Sequence, residues 1–248
     1  MIIMPRQARE KSDSGFYHVI IRGIGKQILF EDDEDYQRFK EILKRFLQDS
    51  SIEIHAYCIM ENHVHILLRD ISSKMDVFMK RLESSYAFYY NRKYERVGIL
   101  FQNRFMSEPI DDDAYFAVVL RYILQNPLKA GVSTVTDYPW SSYRELISKE
   151  EIITTSFAED LFGDRKSLLD YICEPGSDVC MEPTEPSIND SRAREIIREK
   201  LSISSGTQLQ MYEKAERNSA LRILKESGLS IRQIERLTGI NRGIILKA

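Results

Sequence analysis

Residues 52–68, which read IEIHAYCIMENHVHILL, decide the fold of this chain. Two largely apolar runs, residues 52–59 and 64–68, flank the turn Met60-Glu61-Asn62. Apolar runs of this length on either side of a short polar turn predict a β-hairpin. The sequence around the hairpin then supplies candidate chemistry, because its second strand begins with two histidines.

Side chains alternate between the two faces of a strand, so the hairpin has defined faces. The alternation assigns these residues to one apolar face: Ile52, Ile54, Ala56, Cys58, Val64, Ile66 and Leu68. His63 and His65 then lie together on the opposite face. The other two histidines, His18 and His55, are interpreted as ordinary strand residues outside any site. An H-x-H pattern alone is common and indicates no function.

Residues 111–127 predict a helix that would complete a site. Asp111, Asp112 and Asp113 offer an N-cap and favourable negative charge at its start, and the Asn126-Pro127 pair ends it. Tyr122 and Asn126 are four residues apart and therefore share one side of the helix. If the helix packs against the histidine strand, two imidazoles and an amide oxygen meet beside a phenol.

Such a constellation suits a divalent metal and a phosphodiester. Imidazole nitrogen and amide oxygen both bind divalent cations, and Mn²⁺ accepts nitrogen more readily than Mg²⁺. None of these ligands is negatively charged, so the cation would keep its field for a phosphate group. A phenol that attacks the phosphorus forms a covalent protein–DNA ester, which a hydroxyl group can later reverse. The residues do not identify the group that takes the proton of Tyr122.

Other stretches predict further elements. Residues 16–22 and, more weakly, 98–101 resemble strands. Helical patterns follow the acidic run 31–35 and occupy residues 74–94 and a segment near 157–172. Three rings of the 74–94 helix are interpreted as mostly core: Tyr86, Phe88 and Tyr90.

Composition limits the class of protein. The N-terminus lacks the apolar segment of a signal peptide, and no apolar run is long enough to cross a membrane. Cys58, Cys173 and Cys180 have neither disulfide-framework nor zinc-site spacing, so a cytoplasmic location, near the nucleoid, is expected. The net charge of −3 hides two basic segments. Residues 74–105 carry seven basic against three acidic side chains and residues 191–248 twelve against six, which favours phosphate contacts at two places.

Three regions are expected: a catalytic domain over 1–150, a helical extension with an acidic linker over 151–190, and a helical domain over 191–248. The linker, residues 174–190, is rich in proline, glycine and acidic residues. Residues 217–248 have the spacing of a helix-turn-helix, with Gly239 at a tight turn. Its third helix would present Asn241, Arg242 and Lys247 to double-stranded DNA. A helical bundle that binds protein remains the alternative, and Glu235 departs from the small residue usual in the motif.

Three blocks carry a family resemblance: YHVIIRG at 17–23, IHAYCIMENHVHILL at 54–68, and LRYILQNPLKAG at 120–131 followed by DYPWSSY at 137–143. From about residue 15 to 147 the chain resembles the HUH-type single-tyrosine transposases, specifically the REP-associated tyrosine transposases. The resemblance implies an α+β fold with a central antiparallel sheet flanked by helices. Glu61 and Phe101 depart from the proline and tryptophan common in relatives.

The resemblance also implies roles for individual residues. His63 and His65 would bind Mg²⁺ or Mn²⁺ with Asn126 as third ligand. Tyr122 would be the nucleophile that leaves a 5′-phosphotyrosine and a 3′-hydroxyl on single-stranded DNA, near a recognised DNA hairpin. Relatives are monomers or dimers, so a monomer or a homodimer is expected.

The sequence therefore predicts a metal-dependent DNA-nicking and strand-joining enzyme with an appended DNA-binding domain. Six basic residues would follow the phosphate backbone: Lys80, Arg81, Arg92, Lys93, Arg96 and Arg104. One alternative is a non-catalytic regulator that keeps the fold to recognise hairpins. Another is a metal-dependent nuclease that uses water and forms no covalent intermediate.

Overall fold

The chain divides into two compact units, Met1–Pro183 and Thr184–Ala248. The structure, a computed structural model, describes residues 9–148, 152–176, 180–181, 190–203, 205–229 and 231–248. Most of the predicted linker over 174–190 lies outside these residues. In the described part of the chain, no helix is long and apolar enough to cross a membrane.

The first unit is built on an antiparallel sheet, which confirms the predicted fold class. Its strands are β1 (Phe16–Arg22), β2 (Ile52–Met60), β3 (His63–Asp70) and β4 (Met106–Ile110). They are ordered β2-β3-β1-β4. The predicted hairpin is β2 and β3, and it places the histidine strand in the interior of the sheet.

One prediction about the faces of the hairpin is wrong. The register between β2 and β3 shifts between Ile54 and Ala56, so the strand bulges at His55. A bulge adds one residue to a strand and therefore reverses the facing of everything beyond it. Ala56 and Cys58 consequently face away from the apolar cluster that contains Ile54, and they join the cluster on the other side of the sheet.

Helices cover both faces of the sheet. Helices α1 (Asp33–Gln48) and α2 (Met75–Lys93) bury apolar side chains on one face, against Val64 and Ile66. On the other face lie α3 (Asp113–Leu124), α6 (Ser156–Phe162) and α7 (Arg165–Cys173), packed against Leu67. The short helices α4 (Asn126–Lys129) and α5 (Tyr143–Ser148) complete this unit. His63 and His65 share the facing of Leu67, so they point toward α3.

Several local predictions need correction. Helical structure does not end at the Asn126-Pro127 pair, because α3 ends at Leu124 and α4 begins at Asn126 with proline in its first turn. Proline is tolerated there because the first N–H groups of a helix need no partner within it. The predicted strand at residues 98–101 is not formed, since Phe101 makes only an isolated bridge to Gly23. The strand in this part of the chain is β4, which begins at Met106. The 157–172 segment is two helices, separated at Gly163 with φ +79°.

The aromatic residues of α2 divide between core and surface. Tyr86 and Tyr90 are buried, as predicted, whereas Phe88 is 71% exposed and its assignment to the core is wrong. Tyr86 and Tyr90 point into the domain and donate hydrogen bonds to the carbonyls of Leu29 and Ile28, in the segment before α1. Phe88 lies on the opposite side of the helix, where most of its side chain is exposed.

The second unit is helical. It contains α8 (Asp190–Leu201), a 3-10 segment (Gly206–Met211), α9 (Lys214–Glu226), α10 (Ile231–Thr238) and α11 (Arg242–Lys247). These elements enclose their own apolar cluster, to which α9, α10 and α11 contribute Leu221, Ile234 and Ile245. Gly239 ends α10 with φ +71°, a conformation that favours glycine, at the tight turn predicted there.

Candidate active site at the histidine pair

Strand β3 positions the two predicted metal ligands. His65 lies opposite Ile20 of β1 and Cys58 of β2, and its side chain is completely buried. His63 lies opposite Arg22 at the end of the same strand, and it is half-buried. Because both residues face α3, the two rings lie close together, with centroids 4.9 Å apart.

Helix α3 brings the predicted nucleophile to the histidines. Its N-cap is Asp112, whose carboxylate accepts a hydrogen bond from the Tyr115 backbone N–H at 2.7 Å. Near its other end, the buried Tyr122 ring lies 5.8 Å from the His65 ring, centroid to centroid. The contact between strand and helix on which the predicted site depends is therefore present.

The third candidate ligand is linked to the nucleophile through the backbone. The Asn126 side chain donates a hydrogen bond from Nδ2 to the Tyr122 carbonyl oxygen at 3.1 Å, and Asn126 is nearly buried. This bond uses the amide nitrogen and not the amide oxygen. The oxygen is the atom that can bind a cation.

Burial holds the site histidines in the neutral form that can bind a metal. It lowers the pKa of His63 to about 4, with a further contribution from the Arg22 charge. Burial also holds the pKa of His65 well below its usual range, with added effects of His18, His63 and Lys129. The physical cause is the same for both residues, since an imidazolium ion loses hydration in the interior.

The hydrogen bonds of His63 and His65 leave Nε2 of each ring available to bind a metal. Nδ1 of His63 lies 2.7 Å from Asn62 Oδ1, which can only accept, so Nδ1 carries the proton and Nε2 has the lone pair. Nε2 of His65 is buried and has no hydrogen-bond partner among the described residues. A buried nitrogen without a partner costs free energy unless something binds it. The residues present therefore fit a divalent cation.

None of the three candidate metal ligands carries a charge. No cluster of three His, Cys, Asp or Glu side chains that could hold a metal occurs within the described ranges. Two imidazoles and an amide oxygen form a different kind of set. They leave the charge of a bound cation unneutralised and available to a phosphate.

Sequence reasoning missed three residues of the site. His18 lies beside His65, and its Nε2 is 2.9 Å from His65 Nδ1. Arg22 shares the facing of His18 on β1, and the Lys129 ammonium lies 4.1 Å from the centre of the Tyr122 ring. Alternation along FYHVIIR, residues 16–22, placed His18 and Arg22 on one face and was a usable signal. Lys129 had no signal beyond its nearness to Asn126 in the sequence.

Several of the basic residues predicted to follow DNA lie on a helix that covers the other face of the sheet. Helix α2 covers the face of the sheet opposite α3, so Lys80, Arg81 and Arg92 lie on that other side, exposed to solvent. Arg104, in the loop before β4, is also exposed, whereas Arg96 is half-buried with its guanidinium 5.7 Å from the Tyr90 ring centre.

Lys93 is held within the domain. Its ammonium lies 2.7 Å from Asp32, 3.0 Å from Glu34 and 2.9 Å from the buried Asp35. Three carboxylates at this range neutralise the lysine and raise its pKa against the opposing effect of burial. Lys93 thus links α2 to the start of α1, and its charge is already compensated.

The candidate DNA contacts of the second unit are partly engaged. Asn241 caps α11 by accepting a hydrogen bond from the Gly243 backbone N–H at 2.8 Å. Arg242 lies 3.4 Å from Glu235, which also accepts the Arg242 backbone N–H. Glu235, the residue that departs from the usual motif, therefore anchors the start of α11. Lys247 is exposed.

Comparisons with known proteins agree with this geometry. Residues 11–126 match the family of IS200-like transposases, a range that includes both histidines, Tyr122 and Asn126. A Haemophilus influenzae protein assigned as a REP-associated tyrosine transposase is 28% identical over 148 residues, which cover 54% of this chain and 82% of that protein.

One solved structure shows the same fold. A REP-associated tyrosine transposase bound to a REP hairpin is similar with a TM-score of 0.52 at 16% identity, over 73% of this chain and 100% of that one. A protein of Deinococcus radiodurans assigned as a transposase has a TM-score of 0.34 at 21% identity, over 48% of this chain and 95% of that one. Residues 11–126 thus match the IS200-like transposase family, and this match confirms the resemblance seen in the sequence.

Proposed function

We propose that the first unit cuts and rejoins single-stranded DNA through a covalent bond between Tyr122 and a 5′-phosphate. The observation that carries this proposal is the Tyr122 ring, 5.8 Å from a buried histidine whose Nε2 has no partner in the described chain. A phenol beside a metal-binding pair is the arrangement that phosphoryl transfer to a tyrosine requires.

The reaction conserves the phosphodiester. The Tyr122 phenol releases its proton and its oxygen attacks phosphorus while the bond from phosphorus to the 3′ oxygen breaks. That oxygen takes up a proton and leaves as a 3′-hydroxyl, so no proton is gained or lost overall. Attack on the phosphotyrosine by a 3′-hydroxyl reverses the step and joins strands without an external energy source. Strand transfer therefore explains why a tyrosine lies at the site, since hydrolysis by a nuclease would need only a water molecule.

His63, His65 and Asn126 would hold the cation, which is Mg²⁺ or Mn²⁺. When bound, such an ion withdraws charge from the phosphate oxygens and stabilises the transition state. Arg22 beside His63 and Lys129 beside Tyr122 add positive charge at the same place. Together these groups bind the scissile phosphate and orient it toward the phenol.

A DNA hairpin is the proposed substrate feature. The structural relative with the same fold was solved with a REP hairpin. On this chain the exposed cations Lys80, Arg81, Arg92 and Arg104 offer phosphate contacts away from the cut. The second unit would bind double-stranded DNA through Arg242 and Lys247 on α11, next to its cap Asn241.

The test is formation of a covalent adduct. The full chain is incubated with labelled single-stranded hairpin DNA from a broad library and with Mn²⁺ or Mg²⁺, then denatured and separated by size. We expect a labelled protein band that Tyr122→Phe abolishes and that Tyr171→Phe, a half-buried tyrosine on α7, retains. Asn126→Leu should raise the Mn²⁺ concentration needed for the reaction.

Two results would refute the proposal. Hairpin binding with no adduct from metal-loaded protein would favour the non-catalytic regulator. Cleavage that persists in Tyr122→Phe would favour a nuclease that uses water.

A further inference from the structure

A line of three side chains, of which the two histidines are completely buried, runs from the edge strand of the sheet to the histidine pair. Nε2 of His18 lies 2.9 Å from Nδ1 of His65. On the far side of the His18 ring, Nδ1 lies 3.9 Å from Glu108 Oε2. The His18 side chain is completely buried, and neither its Nδ1 nor Glu108 Oε2 has a hydrogen-bond partner among the described residues, because 3.9 Å is longer than a hydrogen bond.

The backbone register produces this line. His18 of β1 lies directly opposite Glu108 of β4, whereas His65 of β3 lies opposite Ile20, two residues along β1. All three side chains face α3, because they occupy matching positions of the strand alternation. A diagonal neighbour on an adjacent strand is within reach of a long side chain. The imidazole of His18 spans that diagonal.

The charge of Glu108 and the hydrogen bond between the histidines determine which ring nitrogen of each histidine carries the proton. The negative charge of the Glu108 carboxylate, 3.9 Å from Nδ1 of His18, favours the form of His18 that carries its proton on Nδ1. Nε2 of His18 then has a lone pair and accepts from Nδ1–H of His65. Consequently Nε2 of His65 carries no proton, and this is the buried nitrogen that has no partner in the described part of the chain.

We propose that His18 is a positioning residue that holds His65 with its Nε2 lone pair turned toward the divalent cation, and that Glu108 orients His18. The inference rests on the proposed function in one respect, namely that His65 is a metal ligand. A ligating histidine commonly donates its second ring N–H to a carboxylate or carbonyl. In this chain the imidazole of His18 accepts the second N–H of His65, and the Glu108 carboxylate lies on the far side of His18.

The alternative role for His18 is packing alone. Its ring stacks on His65 with centroids 5.2 Å apart and lies edge-on to Tyr122 at 5.9 Å. An apolar side chain of similar size would replace those contacts but could not accept the His65 proton. Substitutions that keep shape or keep the acceptor therefore separate the two roles.

The experiment compares three variants of the full chain by Mn²⁺ titration, without DNA. His18→Leu removes the acceptor, and we expect it to weaken Mn²⁺ binding by about 10- to 100-fold. His18→Gln restores an acceptor oxygen and should remain within about threefold of the wild type, on the same scale. His55→Leu is the matched control, because His55 is also a buried strand histidine but contacts Phe16 and Phe116. It should bind Mn²⁺ like the wild type.

A second readout needs neither metal nor activity. Nitrogen NMR of the metal-free protein should find His65 protonated on Nδ1 and bare on Nε2, and His18→Leu should lose this single tautomer. Unchanged Mn²⁺ affinity and an unchanged His65 tautomer in His18→Leu would overturn the inference, as would failure of His18→Gln to recover affinity. If the wild type binds neither Mn²⁺ nor Mg²⁺, the proposed function fails together with the role of His65 as a metal ligand, and the tautomer measurement decides whether His18 orients His65.

Discussion

The Lys129 ammonium lies over the Tyr122 ring, 4.1 Å from its centre. Lys129 belongs to α4, the short helix that follows α3, so the break between the two helices turns this lysine back onto the tyrosine. Its charge also contributes to the lowered pKa of the neighbouring His65. A cation at this place stabilises the negative charge that develops when a phenol attacks phosphorus.

Replacing Lys129 should therefore slow the chemical step more than it weakens DNA binding. We expect Lys129→Gln to reduce the single-turnover rate of adduct formation by about 10- to 100-fold. Lys129→Arg, which keeps the charge, should retain most of the rate. Hairpin affinity, measured separately without metal, should change little in either variant. An unaltered rate in Lys129→Gln would remove the lysine from the mechanism.

Lys93 and Arg92 are adjacent on α2 and should behave in opposite ways. Because three carboxylates hold Lys93, Lys93→Gln should lower the free energy of unfolding by roughly 1–3 kcal/mol. It should leave the salt dependence of hairpin binding intact. Arg92→Gln should preserve stability and reduce the salt slope by about 0.7 to 0.9, the change for one lost phosphate contact. Trp140 fluorescence during denaturant unfolding reports stability. A lower salt slope in Lys93→Gln, or a loss of stability in Arg92→Gln, would contradict these two roles.

His55 should make the first unit less stable in acid. Burial, with a smaller effect of Arg69, lowers its pKa from 6.5 to about 4. The unfolded chain therefore binds a proton in this range while the folded chain does not, and stability present above pH 6.5 is lost as the pH falls toward 4. His55→Leu should gain about 2 kcal/mol over the wild type at pH 5 and almost nothing at pH 7.5. Equal acid sensitivity of both proteins, followed through Trp140, would refute this prediction.

Gly239 should be required for the turn between α10 and α11. Its φ of +71° disfavours any residue with a β-carbon, and an added methyl group would collide with the Gln210 side chain. We expect Gly239→Ala to destabilise the second unit by about 1 kcal/mol. Hydrogen exchange over α9 and α10 should then be faster. Gly243→Ala, in a helix and without positive φ, is the control and should not accelerate exchange.

Much of the fold could be predicted from local sequence patterns. The apolar runs around Met60-Glu61-Asn62 specified the hairpin, and the run of three aspartates at 111–113 specified the start of α3, because turns and helix caps depend on residues close together in the chain. The bulge at His55 was not predictable in this way. It depends on how two strands pair, and no residue in β2 marks it as glycine or proline would.

The sequence by itself determined the two histidines, the tyrosine and the asparagine as a candidate set, since strand and helix periods place each pair on one side of its element. Only the tertiary structure decided that the two sides meet. It also added His18 and Arg22 of β1 and Lys129 of α4, and it tied Lys93 to carboxylates far away in sequence. The physical reason is the separation in sequence over which residues interact. Periodicity orients a side chain relative to its own backbone, whereas its partners depend on strand register and helix packing.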